Sequence, residues 1–229
     1  MTNRAFERIA ALCAVAVAGL SLLYAVGYLL VAPAAQRKSD VDAFYRSYLA
    51  SPGGMRIAST CLLLSGLLIG LPAVALKRRL SAAAGNASSW AAITGVVAGF
   101  ATAAHGLSAL VGTDRLAGYF ASGPADPATH AAVVAAHLAP SPVDPAGLAT
   151  FCVAGLSVLV FGNALRCTGR GLGTLGVILG LDMVALFVAN SIGAQPLVLV
   201  TGGLASVILG PIWWVGVGGL LWREPAPAS

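Results

Sequence analysis

Charged side chains are scarce in this sequence: Asp, Glu, Lys and Arg make up 9% of its 229 residues, whereas 58% are hydrophobic. A soluble domain has about a quarter of its residues charged, so a soluble fold of this length would leave much apolar surface in water. Long apolar runs fill the sequence instead, and a membrane span needs about 20 such residues. The composition therefore predicts an all-α, polytopic integral membrane protein with the lipid bilayer as its partner.

The motifs of the common enzyme classes are also missing. The sequence has no GxSxG, HExxH or P-loop, and its four cysteines form no CxxC pair. The GxGxxG match at residues 171–176 opens a membrane span and follows no strand, so it does not predict a dinucleotide site. The net charge of +5 comes mostly from basic residues between apolar runs, where membrane topology explains them. We therefore expect no cofactor and no nucleic-acid binding.

Six apolar runs, separated by charges and helix breakers, predict a single membrane domain over residues 1–223 and a disordered tail at 224–229. The predicted spans cover about residues 9–32, 57–76, 89–112, 145–165, 171–193 and 197–222. With the N-terminus inside, the inside segments hold eight basic residues and the outside loops five, which favours an N-in, C-in topology. The compact Ala- and Gly-rich style and the lack of a targeting signal favour a bacterial plasma membrane.

Two predicted outer loops are too long for plain turns. Residues 36–50 predict a helix that Ser39 caps and that lies in the membrane interface. Its apolar residues form one stripe at helical spacing: Val41, Phe44, Tyr45, Tyr48 and Leu49. This helix either covers the rim of the bundle or acts as a lid over a cavity. Residues 113–144 form the second loop, in which a short interfacial helix is predicted from Ala128 to Leu138.

Asp182 is the sharpest functional candidate, because it is the only acid inside a predicted span. An ionised carboxylate at the bilayer centre costs about 2.5–3.5 kcal/mol on insertion scales, and such residues often mark proton or ion paths. Two interpretations stay open. Asp182 is either a proton- or cation-responsive group, or a protonated acid that hydrogen-bonds a neighbouring helix and only aids packing.

His105 is the only histidine inside a predicted span. A cluster of His105, Asp182 and Asn190 is a candidate ligand or proton site, on the condition that spans three and five are neighbours. The alternative for His105 is a neutral ring that hydrogen-bonds a backbone carbonyl.

A weaker candidate is a metal site in the second long loop. His130 and His137 stand seven residues apart, on one face of the predicted loop helix, and Asp126 or Asp144 would complete a ligand set. Metal pairs on a helix more often have the i, i+4 spacing. The alternative is two solvated or interfacial histidines.

Packing of the spans is predicted from their small and aromatic residues. Pairs four apart, such as Gly95 and Gly99, favour close helix contacts. Trp213 and Trp214 lie deeper in the last span than an interfacial belt, so they either line a pocket or fill the core.

Two local patterns accompany the six spans: His105-Gly106 late in the third, and Gly210-Pro211-Ile212-Trp213 to Trp222-Arg223 in the last. With these features the chain resembles an uncharacterised bacterial family, domain of unknown function 4386. The resemblance implies a six-span fold and an inner-membrane location, and it brings no activity or site residues with it.

Three classes of function are left open by the sequence. The leading one is a small transporter or membrane-embedded binding protein that uses Asp182. The second is a structural or accessory subunit, in a homo-oligomer or a larger membrane complex. The third is a metal-dependent membrane enzyme with His130 and His137 as ligands.

Overall fold

The computed structural model describes residues 3–31, 40–122, 126–139, 141, 143–167 and 170–223. Within these ranges every regular element is helical and no strand occurs. Six helical stretches are long and apolar enough to cross a membrane: Arg4–Leu29, Gly53–Ala82, Ala84–Ser122, Pro145–Arg166, Arg170–Ser191 and Gln195–Trp222. The predictions of an all-helical fold and of six such helices are confirmed for the described residues, and this architecture is compatible with a multi-pass membrane protein.

The described residues form eight α-helices. They are α1 (Asn3–Leu29), α2 (Val41–Ala50), α3 (Gly53–Ser122), α4 (Pro127–Leu138), α5 (Ala154–Arg166), α6 (Arg170–Ser191), α7 (Gln195–Gly203) and α8 (Gly210–Trp222). A 3-10 turn (Pro145–Gly147) and a π-helical turn (Leu148–Val153) lead into α5. A second π-helical stretch, Leu204–Leu209, joins α7 to α8 and is called the π segment below.

Helix α3 contains two predicted spans and breaks only at Gly85. There φ is +50° and ψ is −131°, a conformation that glycine adopts far more readily than other residues. The two candidate spans within α3 are called the first arm, Gly53–Ala82, and the second arm, Ala84–Ser122, and the break lies at the start of the second arm. The segment 77–88, predicted to be a loop, is therefore helical apart from this residue. The charges at residues 77–79 end an apolar run, but Lys and Arg are good helix formers and do not end the helix.

Two other boundaries differ from the predictions. The second arm of α3 continues to Ser122, so residues 113–122 belong to a helix rather than to a long loop. The turn between the last two spans lies at residues 192–194, with Gly193 at φ +71°. Gln195 and Pro196, predicted to form that turn, begin α7 instead, because proline suits the first turn of a helix.

Small residues bring neighbouring spans into direct contact. A Cβ on Gly66 would lie 2.5 Å from the carbonyl oxygen of Gly99, and a Cβ on Gly99 would lie 2.8 Å from that of Gly66. Gly155 and Gly180 face each other in the same way between α5 and α6. The prediction of close glycine packing is confirmed, and the contacts are internal to this chain.

The bundle has two chemically different ends. At one end, Arg79 donates a hydrogen bond to Glu7 at 2.8 Å and others to the carbonyls of Leu221 and Arg223, so it ties α1, α3 and α8 together. We call this the basic end, after its eight basic residues: Arg4, Arg8, Lys77, Arg78, Arg79, Arg166, Arg170 and Arg223. The opposite end carries α2 and α4 and is called the capped end. Asp40, rather than the predicted Ser39, is the N-cap of α2, since its side chain accepts the N–H of Ala43 at 3.0 Å. Ser39 itself and the tail 224–229 lie outside the described residues.

Candidate functional site

Asp182 lies on the inward stripe of α6, between two core leucines. Leu179 and Leu186, three residues before it and four after it, are 2% and 5% exposed. Residues at this spacing share one side of a helix, so Asp182 faces toward the bundle, and its side chain is partly buried. The structure therefore gives the carboxylate an apolar setting inside a span.

The last span passes opposite Asp182. A Cβ on Gly202 would lie 3.8 Å from Leu186, and a Cβ on Gly176 would collide with the ring of Trp213. Gly202 therefore lies beside Leu186, and Trp213 lies beside Gly176, at the same two heights along the bundle. α6 and the last span run antiparallel after a tight turn. Asp182 lies between Gly176 and Leu186 along α6, and the π segment lies between Gly202 and Trp213 along the last span. The π segment is therefore the part of the last span opposite Asp182.

One oxygen of Asp182 lacks a partner. Oδ2 is buried, and no hydrogen bond reaches it from the described residues. A buried polar atom without a hydrogen bond costs free energy, about 1–3 kcal/mol for a typical group, and it calls for an explanation such as a function or a bound ion. The packing interpretation of Asp182 needs a hydrogen-bond partner on a neighbouring helix, and the described residues supply none at this oxygen.

The π segment is the irregular part of the last span. The N–H of Gly210, the residue after this segment, donates a hydrogen bond to the carbonyl of Ala205, five residues earlier. Single π-helical turns inside α-helices occur frequently at functional sites. Ser206 lies within this segment and is half-buried, so the stretch level with Asp182 combines irregular backbone with a hydroxyl.

His105 does not join Asp182. It is half-buried on the second arm of α3, and α5 packs against both α3 and α6 while those two helices share no extended contact. Spans three and five are therefore not neighbours, which was the condition for the predicted cluster. The sequence could not show which spans are neighbours, because lipid-facing and interior positions of a span are both apolar.

Asn190 forms a hydrogen bond with the turn before α5. Its Nδ2 donates a hydrogen bond of 2.8 Å to the carbonyl of Ala146, which has a φ of +54°. Asp144 in the same turn is 2% exposed and accepts the N–H groups of Ala149 at 2.7 Å and Thr150 at 3.0 Å. Asp144 thus caps the π-helical turn that follows Pro145, and Asn190 fixes the end of α6 to the same turn.

The two tryptophans lie in or against the core. Trp213 is fully buried, with its ring against Gly176, and its indole Nε1 has no hydrogen-bond partner among the described residues. Trp214 is half-buried and packs against the same cluster. Of the two interpretations, core filling describes Trp213 better. The Trp213 ring packs on Gly176, which lies six residues, or about 9 Å, from Asp182 along α6.

His130 and His137 join α4 to α2. His130 Nε2 donates to Asp42 Oδ1 at 2.8 Å, and His137 Nδ1 shares a hydrogen bond of 3.1 Å with the Tyr45 hydroxyl. Burial and the charge of neighbouring Tyr48 raise the pKa of Tyr45 to about 12, so its hydroxyl stays protonated at neutral pH. The two histidines thus bind different partners on the facing helix.

No metal ligand set forms around these histidines in the described part of the chain, where no three His, Cys, Asp or Glu side chains come together. Asp126 caps α4, and the hydroxyl of Thr129, aided by the backbone N–H groups of Ala128 and Thr129, lowers the pKa of Asp126. Asp144 is held by its own helix start. Asp126 and Asp144, the two carboxylates predicted as a third metal ligand, therefore bind other groups.

Sequence reasoning missed the polar contacts that anchor α2. Tyr48 donates to Asp114, and Arg56 binds the same carboxylate at 2.8 Å. Tyr45 and Tyr48 were predicted as part of an apolar stripe, and their rings do pack with Phe44. The hydroxyl groups of Tyr45 and Tyr48 could have predicted these contacts, because a buried tyrosine usually has a hydrogen-bond partner.

Comparison with known proteins adds no relative to these observations. No family model, curated protein or solved structure matches the chain. The resemblance to domain of unknown function 4386 therefore stays a prediction, and the functional argument rests on the residues of this chain.

Proposed function

We propose that this chain is a small transporter or membrane-embedded binding protein of the bacterial plasma membrane, in which Asp182 takes up and releases a proton or a monovalent cation. The observation that carries the proposal is the buried Oδ2 of Asp182, which has no hydrogen-bond partner among the described residues. A carboxylate in this position gains much from a proton or a cation, because an unpaired charge is costly inside a bilayer.

The π segment supports the same function. Irregular backbone at membrane depth is tolerated where it is buried in protein or lines a water-filled cavity, and transporters place ion sites beside interrupted helices. Here the interruption lies level with Asp182, and Ser206 adds an oxygen ligand of the kind that a cation prefers.

The topology proposed with this function is N-in, C-in. All eight basic residues of the basic end are then inside, and α2 and α4 lie at the outer interface. If intact cells allowed a membrane-impermeant reagent to modify Cys167, which is exposed near the basic end, this orientation would be wrong. The lipid bilayer is the partner that the function requires, and self-association is compatible with it.

The test uses a hydrophobic carbodiimide, which modifies protonated carboxyl groups inside membranes. Full-length protein in lipid vesicles is treated with the reagent, and the labelled residue is located by peptide mass spectrometry. Sodium, potassium and lithium salts are added in separate samples, and the pH is varied. Asp182→Asn removes the target, Asp182→Glu keeps it, and Asp144 is the internal control, since two N–H donors hold its carboxylate.

We expect Asp182 to be labelled while Asp144 is not, and we expect high pH or one of the cations to protect it. Asp182→Glu should retain labelling and protection. Labelling of Asp182 that neither pH nor any cation changes would contradict the proposal, and so would a complete lack of labelling across the pH range.

A further inference from the structure

A cavity of about 450 Å³ opens at the basic end, where α5 ends and α6 begins. Apolar residues dominate this chain, yet the described residues that line the cavity have polar, charged or thiol side chains: Asn163, Arg166, Cys167, Arg170 and Thr174. Two arginines beside other hydrogen-bonding side chains in one recess are the arrangement expected of a site for an anion.

The two arginines of this cavity have no acidic partner in the described part of the chain. The only described acid at the basic end is Glu7, and Arg79 holds it at 2.8 Å. The other described carboxylates lie at the capped end or, for Asp182, within α6. Arg166 and Arg170 therefore leave their positive charge available to an anion.

The cavity is held in shape by close packing of its walls. Gly173 lies directly against the backbone of Arg166, and Gly162 lies against Gly176 and Val177. These contacts keep the last turn of α5 beside the first turn of α6. The two guanidinium groups thus start from fixed backbone positions only four residues apart in sequence.

The depth of the site suits the phosphate level of a bilayer. Asn163 lies within one turn of the end of α5, and Thr174 lies about one turn after the start of α6. Both side chains are exposed on the outside of the bundle, so the cavity extends from the ends of the spans into the edge of the apolar zone. Arg, Asn and Thr side chains donate hydrogen bonds, and arginine binds phosphate with two parallel bonds.

We propose that this cavity binds a phosphate group, with Arg166 and Arg170 as the charged ligands and Asn163 and Thr174 as hydrogen-bond donors. The phosphate is carried either by the headgroup of an anionic phospholipid or by a free phosphate ion. The site is independent of Asp182, since the two lie at different depths of the bundle.

Cys167 gives the experiment its readout, because it lines the cavity and is exposed. Full-length protein is placed in phosphatidylcholine vesicles, in the same vesicles with phosphatidylglycerol, or in phosphatidylcholine vesicles with inorganic phosphate. The rate of Cys167 alkylation by neutral iodoacetamide is measured by peptide mass spectrometry. A second thiol, introduced by Ser81→Cys at an exposed position of the basic end, corrects for surface pH and reagent access.

We expect phosphatidylglycerol to slow alkylation of Cys167 relative to the reference thiol. Arg166→Gln or Arg170→Gln should each raise the phosphatidylglycerol fraction needed for half-protection about 5-fold. The matched control is Lys77→Gln, which removes the same single charge from the same end and should leave the protection intact. Protection by inorganic phosphate in neutral vesicles identifies a free anion as the ligand instead.

Three results would overturn the proposal. The first is no protection of Cys167 by either phosphate source. The second is equal slowing of Cys167 and the reference thiol, and the third is a control variant that loses protection as the arginine variants do.

Discussion

At the scale of single residues, two carboxylates near the same helices have opposite surroundings. Asp144 is 2% exposed and accepts two backbone N–H groups at a helix start, so both of its oxygens have hydrogen-bond partners. Asp182 has a buried oxygen with no partner in the described residues. The sequence singled out Asp182 because it is the only acid inside a predicted span, but it offered no means of finding the partners of either acid.

Gly176 provides a residue-scale prediction about the core. Its Cβ position is occupied by the ring of Trp213, so Gly176→Ala should lower the stability by about 1–3 kcal/mol through overpacking. The control is Gly219→Ala, since nothing lies within 4 Å of that Cβ position. The midpoint of thermal unfolding in detergent should fall for the first variant and not for the second. Equal midpoints would show that Trp213 has another position.

At the scale of helices, the sequence predicted the existence of the elements better than their ends. Apolar runs of about 20 residues define spans because of the bilayer thickness, and all six were found. A helix does not end where its apolar run ends, however, and α3 continues through Lys77, Arg78 and Arg79. Residues 113–122 stay helical since Ala117 and Phe120 pack against α2, a tertiary contact that no local pattern reveals.

The break in α3 at Gly85 leads to an element-scale prediction. Gly85→Ala places a Cβ on a residue in a sparsely populated φ/ψ region with positive φ, which costs about 1–3 kcal/mol, although nothing lies within 4 Å of the new atom. Gly112→Ala is the matched control in the same helix, again with no neighbour within 4 Å. It should raise the stability by up to about 1 kcal/mol, because alanine favours helices.

Unfolding of both variants in mixed detergent micelles would measure these shifts. The expected result is opposite signs for the two glycines. A Gly85→Ala variant as stable as its control would mean that α3 does not bend at this residue.

At the scale of the whole molecule, charge is distributed unevenly between the ends. The basic end has eight Lys and Arg residues and one described acid, Glu7, whereas most described carboxylates lie at the capped end. This asymmetry follows from the sequence once the spans are assigned. It underlies both the proposed N-in topology and the proposed phosphate site beside Arg166 and Arg170.

The neighbours of each span could not be predicted in the same way. In a soluble bundle the apolar face of a helix shows which side is buried, but a span is apolar all round and lipid is as apolar as the core. The predicted cluster of His105, Asp182 and Asn190 failed for this reason, since α5 lies between α3 and α6. Among the sequence patterns, only the spacing of glycines predicted that two spans pack closely against each other.

The central claim is that Asp182 changes its protonation state in the membrane, and infrared spectroscopy of the full-length protein in lipid vesicles tests it most directly. We predict a protonated carboxylic C=O band that is present in the wild type, shifted in Asp182→Glu and lost in Asp182→Asn. This band should weaken as the pH rises or as a monovalent cation is added. A wild-type spectrum identical to that of Asp182→Asn, or a band that neither pH nor cations alter, would contradict the account and leave Asp182 as a packing residue.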